Sequence, residues 1–238
     1  MALILSIETS ENTCSVALGN EYELLGTLEV TDGKSHASML TILIQKLLEE
    51  KDIDYSELKA VAVSKGPGSY TGLRIGVSAA KGICYALNIP FLALNTLQIM
   101  SIGIIQSGYL RKHNISSDNH LLCPMMDARR MEVYTAFFNL EAEPIGEIQA
   151  LVLDSTSFNT ELDKMPVIFF GSGSAKCDGL IEHSNAIFVQ GINPHASNMV
   201  SAAYDTFLQN KFEDLAYFEP FYLKDFVATL PKRKTFSF

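Results

Sequence analysis

The order of apolar and polar positions divides the chain into strands and helices from its first residues. Residues 2–9 (ALILSIET) form a β-rich run closed by the polar turn Ser10-Glu11-Asn12. Cys14–Leu18 reads as the returning strand, and Tyr22–Val30 as a third, ending at Asp32-Gly33. Three strands on tight turns predict an antiparallel meander. The period then changes. With Ser35 as N-cap, HASMLTILIQKLLEEK reads as a helix whose Met39, Leu40, Leu43, Ile44, Leu47 and Leu48 cover about half of the wheel. His36 sits near the middle of that face. Lys59–Ser64 predicts a buried strand, Thr71–Leu87 a second helix, Phe91–Leu94 a strand, and Thr96 opens a third helix.

The second half repeats this theme in part. Strands are expected at Leu121–Met126, Met131–Asn139, Ile145–Leu153 and Val167–Phe170. A short helix is expected near Thr156–Lys164, a small-residue turn at GSGSAK (171–176), and a further helix over roughly His195–Gln209. Two related α/β lobes follow, residues 1–107 and 108–238, with the last segment packing back on the first lobe.

The second helix has an unusual wheel. Gly72, Gly76, Ala79, Ile83 and Ala86 fall in one stripe, with Leu73, Val77, Ala80, Cys84 and Leu87 beside it. Together they cover roughly 220°, against about 100° for an ordinary surface helix. Arg74, Ser78, Lys81 and Tyr85 collect opposite. Such a helix packs on two sides, and its small stripe admits a close neighbour. That neighbour is either the helix beginning at His36 or a partner protein.

Composition narrows the function. Four scattered cysteines without a Cys-x-x-Cys pair fit a reducing compartment. The start lacks a basic leader, and the longest apolar stretch falls short of the ~20 residues a bilayer needs, so a cytoplasmic protein is expected. A net charge of −9 disfavours independent nucleic-acid binding. The basic PKRK at 231–234 reads as a solvated tail.

The loop KGPGSYTGLRIG (65–76) invites a phosphate-binding reading that its spacing refuses. Counted from Gly66, the second glycine of a Walker A loop would be Thr71, and counted from Gly68 it would be Leu73. The dinucleotide fingerprint lacks its third glycine, and no Gly-x-Ser-x-Gly is present here or at GSGSA. A metal helix of the His-x-x-x-His kind fails because His36 is followed four positions on by Leu40. His113 and His120 lie in a polar stretch, and no metal or cofactor is expected. An ATPase or kinase remains as an alternative, with Glu8, Asp127, Arg129, Gly171 and Gly173 as a vestigial nucleotide cleft. In the plainer reading Glu8 is a solvated or capping carboxylate, GSGSAK a strand-to-helix turn, and Asp127, Arg129 and Arg130 a hairpin with a local salt bridge.

ILSIETSENTCSVAL, the histidine of SHASML, KGPGSYTGLRIGVSAAKG, MDARRMEVY and EPFYLK resemble, in this order over nearly the whole chain, the TsaB (YeaZ) family. The resemblance implies a two-lobed actin/hexokinase/Hsp70-like (ASKHA) fold with mixed sheets flanked by helices. It also implies a non-catalytic scaffold required with TsaD and TsaE for threonylcarbamoyl modification of the adenosine beside the tRNA anticodon. TsaD would carry the transfer site, TsaE would hydrolyse ATP, and tRNA would be met only indirectly. A degenerate metallopeptidase-like protein is the further alternative. The first two helices would join TsaD in a helical bundle, making His36, Leu40, Leu43, Leu47, Gly72, Leu73, Gly76, Ala79, Ala80 and Ile83 the partner-binding candidates. Without the partner, the same faces would form a homodimer. Gly66, Pro67, Gly68, Ser69, Tyr70, Thr71 and Arg74 form the loop that marks the family. Two positions depart from its pattern: Glu8 stands where Asp is usual, and Lys224 where Arg is usual.

Overall fold

The computed structural model describes residues 2–31, 36–116, 119–177 and 179–224. Ser35, the turn at Asp32-Gly33 and the PKRK tail lie outside the described residues. Two five-stranded mixed sheets of matching topology form the frame. The first is built from β1 (Leu3–Glu8), β2 (Thr13–Asn20), β3 (Glu23–Thr31), β4 (Ala60–Gly66) and β5 (Phe91–Asn95), in the order β3-β2-β1-β4-β5. β1–β3 form the expected antiparallel meander, while β4 and β5 add in parallel after helical crossovers.

The second sheet contains β6 (Leu121–Asp127), β7 (Glu132–Phe138), β8 (Pro144–Val152), β9 (Val167–Phe170) and β10 (Ala186–Val189). Its order, β10-β9-β6-β7-β8, is the first order traversed from the other edge. The strand at Ala186–Val189 is an addition to the sequence reading, as is a one-turn 3₁₀ helix at Tyr55–Glu57.

Alternation along β1 decides which side chains face which layer. Leu5 and Ile7 enter a core with Leu43, Leu47, Val77 and Ala80, beneath α1 (His36–Glu50) and α2 (Tyr70–Leu87). Ile4 points the other way, to a core shared with Met199, Val200 and Ala203 of the 3₁₀ turn Ala196–Met199 and of α6 (Val200–Leu208). α3 (Thr96–Gln106) lies between the sheets, giving Ile99 to that core and Leu97, Met100 and Ile104 to the core of the second sheet. Short α4 (Tyr109–Lys112) follows α3, and α5 (Asn159–Leu162) caps the outer face of the second sheet through buried Leu162.

Residues near the end of the chain therefore finish the first lobe. Glu213 N donates to Phe91 O at 2.9 Å, Phe221 N to Lys65 O at 2.7 Å, and Lys81 Nζ to Phe218 O at 2.7 Å. The segment then reaches the second sheet, where the Lys224 ammonium pairs with Glu132. No helix of the described residues is long and apolar enough to cross a membrane.

Candidate functional site

The stretches that looked distinctive in sequence meet at one end of the first sheet. α2 begins where Ser69 Oγ accepts from Gly72 N at 3.2 Å, an ordinary N-cap. The β1–β2 turn is tucked against this start: Ser69 N donates to Ser10 O at 2.7 Å, and Thr9 Oγ1 to Gly72 O at 2.8 Å. A Cβ on Gly72 would collide with Thr9 O, and one on Gly76 with Thr9 Oγ1. These positions are small so that the chain's own first turn can approach the helix. On the other side, Gly66 leaves room for Phe221 O, which a Cβ would meet at 2.7 Å. Gly66 and Pro67 are buried, and Gly68 is packed on Ser10. Arg74 stacks on Tyr70, its guanidinium carbon 4.4 Å from the ring centroid, and its Nε donates to Tyr222 Oη at 3.1 Å. The glycine loop is thus a junction holding the β1–β2 turn and the C-terminal segment.

The expected partner-binding set requires correction. His36, Leu40, Leu43, Leu47, Gly72, Leu73, Gly76 and Ala80 are all buried in the chain's own structure. His36 is bonded inward, its Nε2 lying 3.1 Å from Asn12 O. The broad apolar arcs face the sheet and the β1–β2 turn, so they report burial on folding and no free surface. Ala79 and Ile83 alone of the set are half-exposed.

The outward face of the two helices is built differently. A shallow groove of about 510 Å³ runs between them, floored by Leu40 and Ala79 and walled by Thr41, Tyr70, Thr71, Arg74 and Ser78. Thr71, Arg74 and Ser78 are exposed, as the place of Arg74 and Ser78 on the wheel opposite the apolar stripes leads one to expect. Short side chains on both helices keep the groove shallow, a shape that admits a helix ridge.

Of the residues read as a vestigial nucleotide cleft, Glu8 ends β1 in the first lobe, whereas Asp127, Arg129, Gly171 and Gly173 belong to the second. Glu8 is fully buried, which overturns its reading as a solvated carboxylate. One oxygen accepts from Ser10 N at 2.6 Å; the other has no hydrogen-bond partner among the described residues. Burial raises its pKa to about 7, against the opposing influence of Ser10 and Ser64. At the facing edge of the second lobe, Lys176 Nζ donates to Asp127 at 2.7 Å and to Glu132 O at 2.8 Å. Ser172 Oγ donates to Glu11, so the two lobes touch directly. Burial raises the Glu11 pKa as well, partly offset by Ser172. Gly171 is packed against Met100 and Met125, and a Cβ on Gly173 would meet Val133 Cγ1 at 2.8 Å. GSGSAK therefore bends into a 3₁₀ turn at Ser174–Lys176 because β6 and β7 lie behind it. Arg129 and Arg130 are exposed at the β6–β7 hairpin tip, where Arg129 N donates to Asp127 Oδ1 at 2.6 Å. No group of three or more His, Cys, Asp and Glu side chains with metal-holding geometry occurs among the described residues.

This geometry can be set beside known proteins. A family profile described as TsaD, tRNA N6-adenosine threonylcarbamoyltransferase, matches residues 29–232. The chain is 30% identical over 183 residues to the Bacillus subtilis tRNA threonylcarbamoyladenosine biosynthesis protein TsaB, covering 75% of each.

The chain is a member of the TsaB (YeaZ) family.

The corresponding Escherichia coli TsaB is 27% identical over 231 residues, covering 94% of this chain and 96% of that one. A solved YeaZ from Pseudomonas aeruginosa superposes with a TM-score of 0.77 at 25% identity, covering 94% of this chain and all of that one. This TsaB-family chain therefore has the two-lobed α/β fold of its relatives. The transferase named in the profile is related over a smaller span: a Ligilactobacillus salivarius tRNA N6-adenosine threonylcarbamoyltransferase is 35% identical over 109 residues, 32% of its length.

Proposed function

We propose that this chain is a cytoplasmic, non-catalytic subunit of tRNA threonylcarbamoyladenosine biosynthesis that docks a TsaD-like transferase on its α1–α2 groove. Membership of the TsaB family assigns the pathway. The observation carrying the docking reading is the groove itself, an apolar floor between two exposed helix edges. A partner helix laid there would cover Ala37, Ile75 and Ala79, and Arg74 would lie at its rim. A TsaE-like ATPase would act within the assembly. In the partner's absence, a second copy of this chain would cover the same face.

Two features support a non-catalytic role. The Glu8 carboxyl is sealed from solvent and bonded to its own turn. The glycines of GSGSAK are occupied by close packing on α3, β6 and β7.

The test uses Thr41→Arg together with Ser78→Arg. Both positions are exposed, so folding is expected to survive with an unchanged melting temperature. Two cations forced into the docked groove beside Arg74 should weaken the complex by about 100-fold, for a cost of about 3 kcal/mol. Co-purification of the double variant with the transferase at wild-type yield would overturn the reading. Magnesium-dependent ATP hydrolysis by the purified chain, abolished in Glu8→Ala, would restore the ATPase alternative.

A further inference from the structure

We propose that the tip of the β6–β7 hairpin is an RNA contact, in which Arg129 and Arg130 each take a backbone phosphate. The inference rests on the tRNA pathway assigned above and goes beyond it. The net charge of −9 implies only that the body of the chain repels RNA, whereas a local cationic tip can still bind it.

The tip is built in a way its fold does not require. Ala128 N donates to Glu132 O at 3.1 Å and Glu132 N to Arg129 O at 3.2 Å, closing a tight turn. Arg129 and Arg130 occupy its successive left-handed positions, with φ of 69° and 47°. Asn and Gly are the favoured residues for such a pair, and two arginines there are unfavourable for the turn itself. Both are exposed, and no described residue forms an ion pair with either guanidinium.

The surrounding charges sharpen this. Each nearby carboxylate already has a donor of its own. Asp127 is held by Lys176, which keeps its pKa below the usual carboxylate range although burial opposes this; Glu132 is held by Lys224, and Glu11 by Ser172. The two arginines are left without an internal anion. Their planar donor forks suit phosphate, and a guanidinium face also stacks on an unpaired base.

The test measures binding of a labelled, unmodified tRNA transcript to the full chain, alone and with its transferase, over a series of salt concentrations. Replacing both arginines by glycine removes the charge and suits the backbone, so the melting temperature should hold or rise. Affinity should fall about tenfold, and the slope of log affinity against log salt should shrink by about two, one for each phosphate lost. Arg129→Lys with Arg130→Lys should keep the slope. An unchanged slope in the double glycine variant overturns the proposal, as does a wild-type chain that binds no RNA in either setting. Loss of co-purification with the transferase in the double glycine variant also overturns it, since the tip would then be a protein contact. The RNA measurement on the chain alone is independent of the α1–α2 groove, so the docking reading can fail without touching this result.

Discussion

Glu8 offers a measurement whose size can be worked out in advance. Its carboxyl is completely buried, and burial raises its pKa from 4.5 to about 7. Ionising it in the folded chain therefore costs about 3 kcal/mol more than ionising it in the unfolded chain. The sign follows from linkage. A raised pKa means the protonated carboxyl is the form the fold accommodates. The stability it contributes is fully present below pH 4.5 and is lost as pH rises to about 7. Glu8→Gln keeps the acceptor for Ser10 N, replaces the protonated oxygen by an amide, and cannot ionise. Melting temperatures of both proteins, recorded from pH 4 to pH 8 in about half-unit steps, should diverge through that window. The variant should gain about 6–12 °C relative to wild type, at about 2–4 °C per kcal/mol for a chain of this size. Taking the difference between the curves removes the titration of distant carboxylates. Parallel curves would show that the Glu8 carboxyl is solvated, and the argument from burial would fail.

Other substitutions test the remaining contacts. Gly72→Ala should lower stability by about 1–3 kcal/mol in chemical denaturation, because its methyl would be driven into the Thr9 carbonyl. Leu43→Asp should abolish soluble expression while Thr41→Arg does not, since Leu43 lies in the core and Thr41 on the groove wall. Tyr222→Ala removes the acceptor of Arg74 and a ring packed 5.0 Å from Tyr70, so limited proteolysis should cut the 213–224 segment faster.

Much of the architecture was legible from residue patterns, for reasons that also mark where legibility ends. Val167–Phe170 is read to the residue because a short apolar run between Pro166 and Gly171 has only one extended solution. α3 begins at Thr96 as expected, with Asn95 as its cap, because the turn chemistry is local. The four-residue strand Ala186–Val189 was missed, being too short to show a period and stabilised by its pairing with β9. The helix expected from His195 starts as a 3₁₀ turn, with the His195 side chain accepting from Ser197 N. The candidate site was less legible. A helical wheel separates apolar from polar arcs but does not say whether a sheet or a foreign helix covers the apolar one. Thr41, Thr71 and Ser78 carry no signal of their own, and the groove they wall exists only once two helices lie side by side.

The return of the chain's end to its beginning bears on how the protein is made. On a ribosome the first sheet emerges early, with one face covered by α1 and α2 as soon as they follow. Its other face presents Ile4, Ala17, Ala62 and Leu92, and their cover is Met199, Val200 and Ala203. α3 brings only Ile99 to that surface, so much of it stays uncovered until α6 has been synthesised. A nascent chain stalled before residue 195 should bind holdase chaperones, and release should coincide with the emergence of α6. The first half cannot mature on its own, because its second face is completed only by α6.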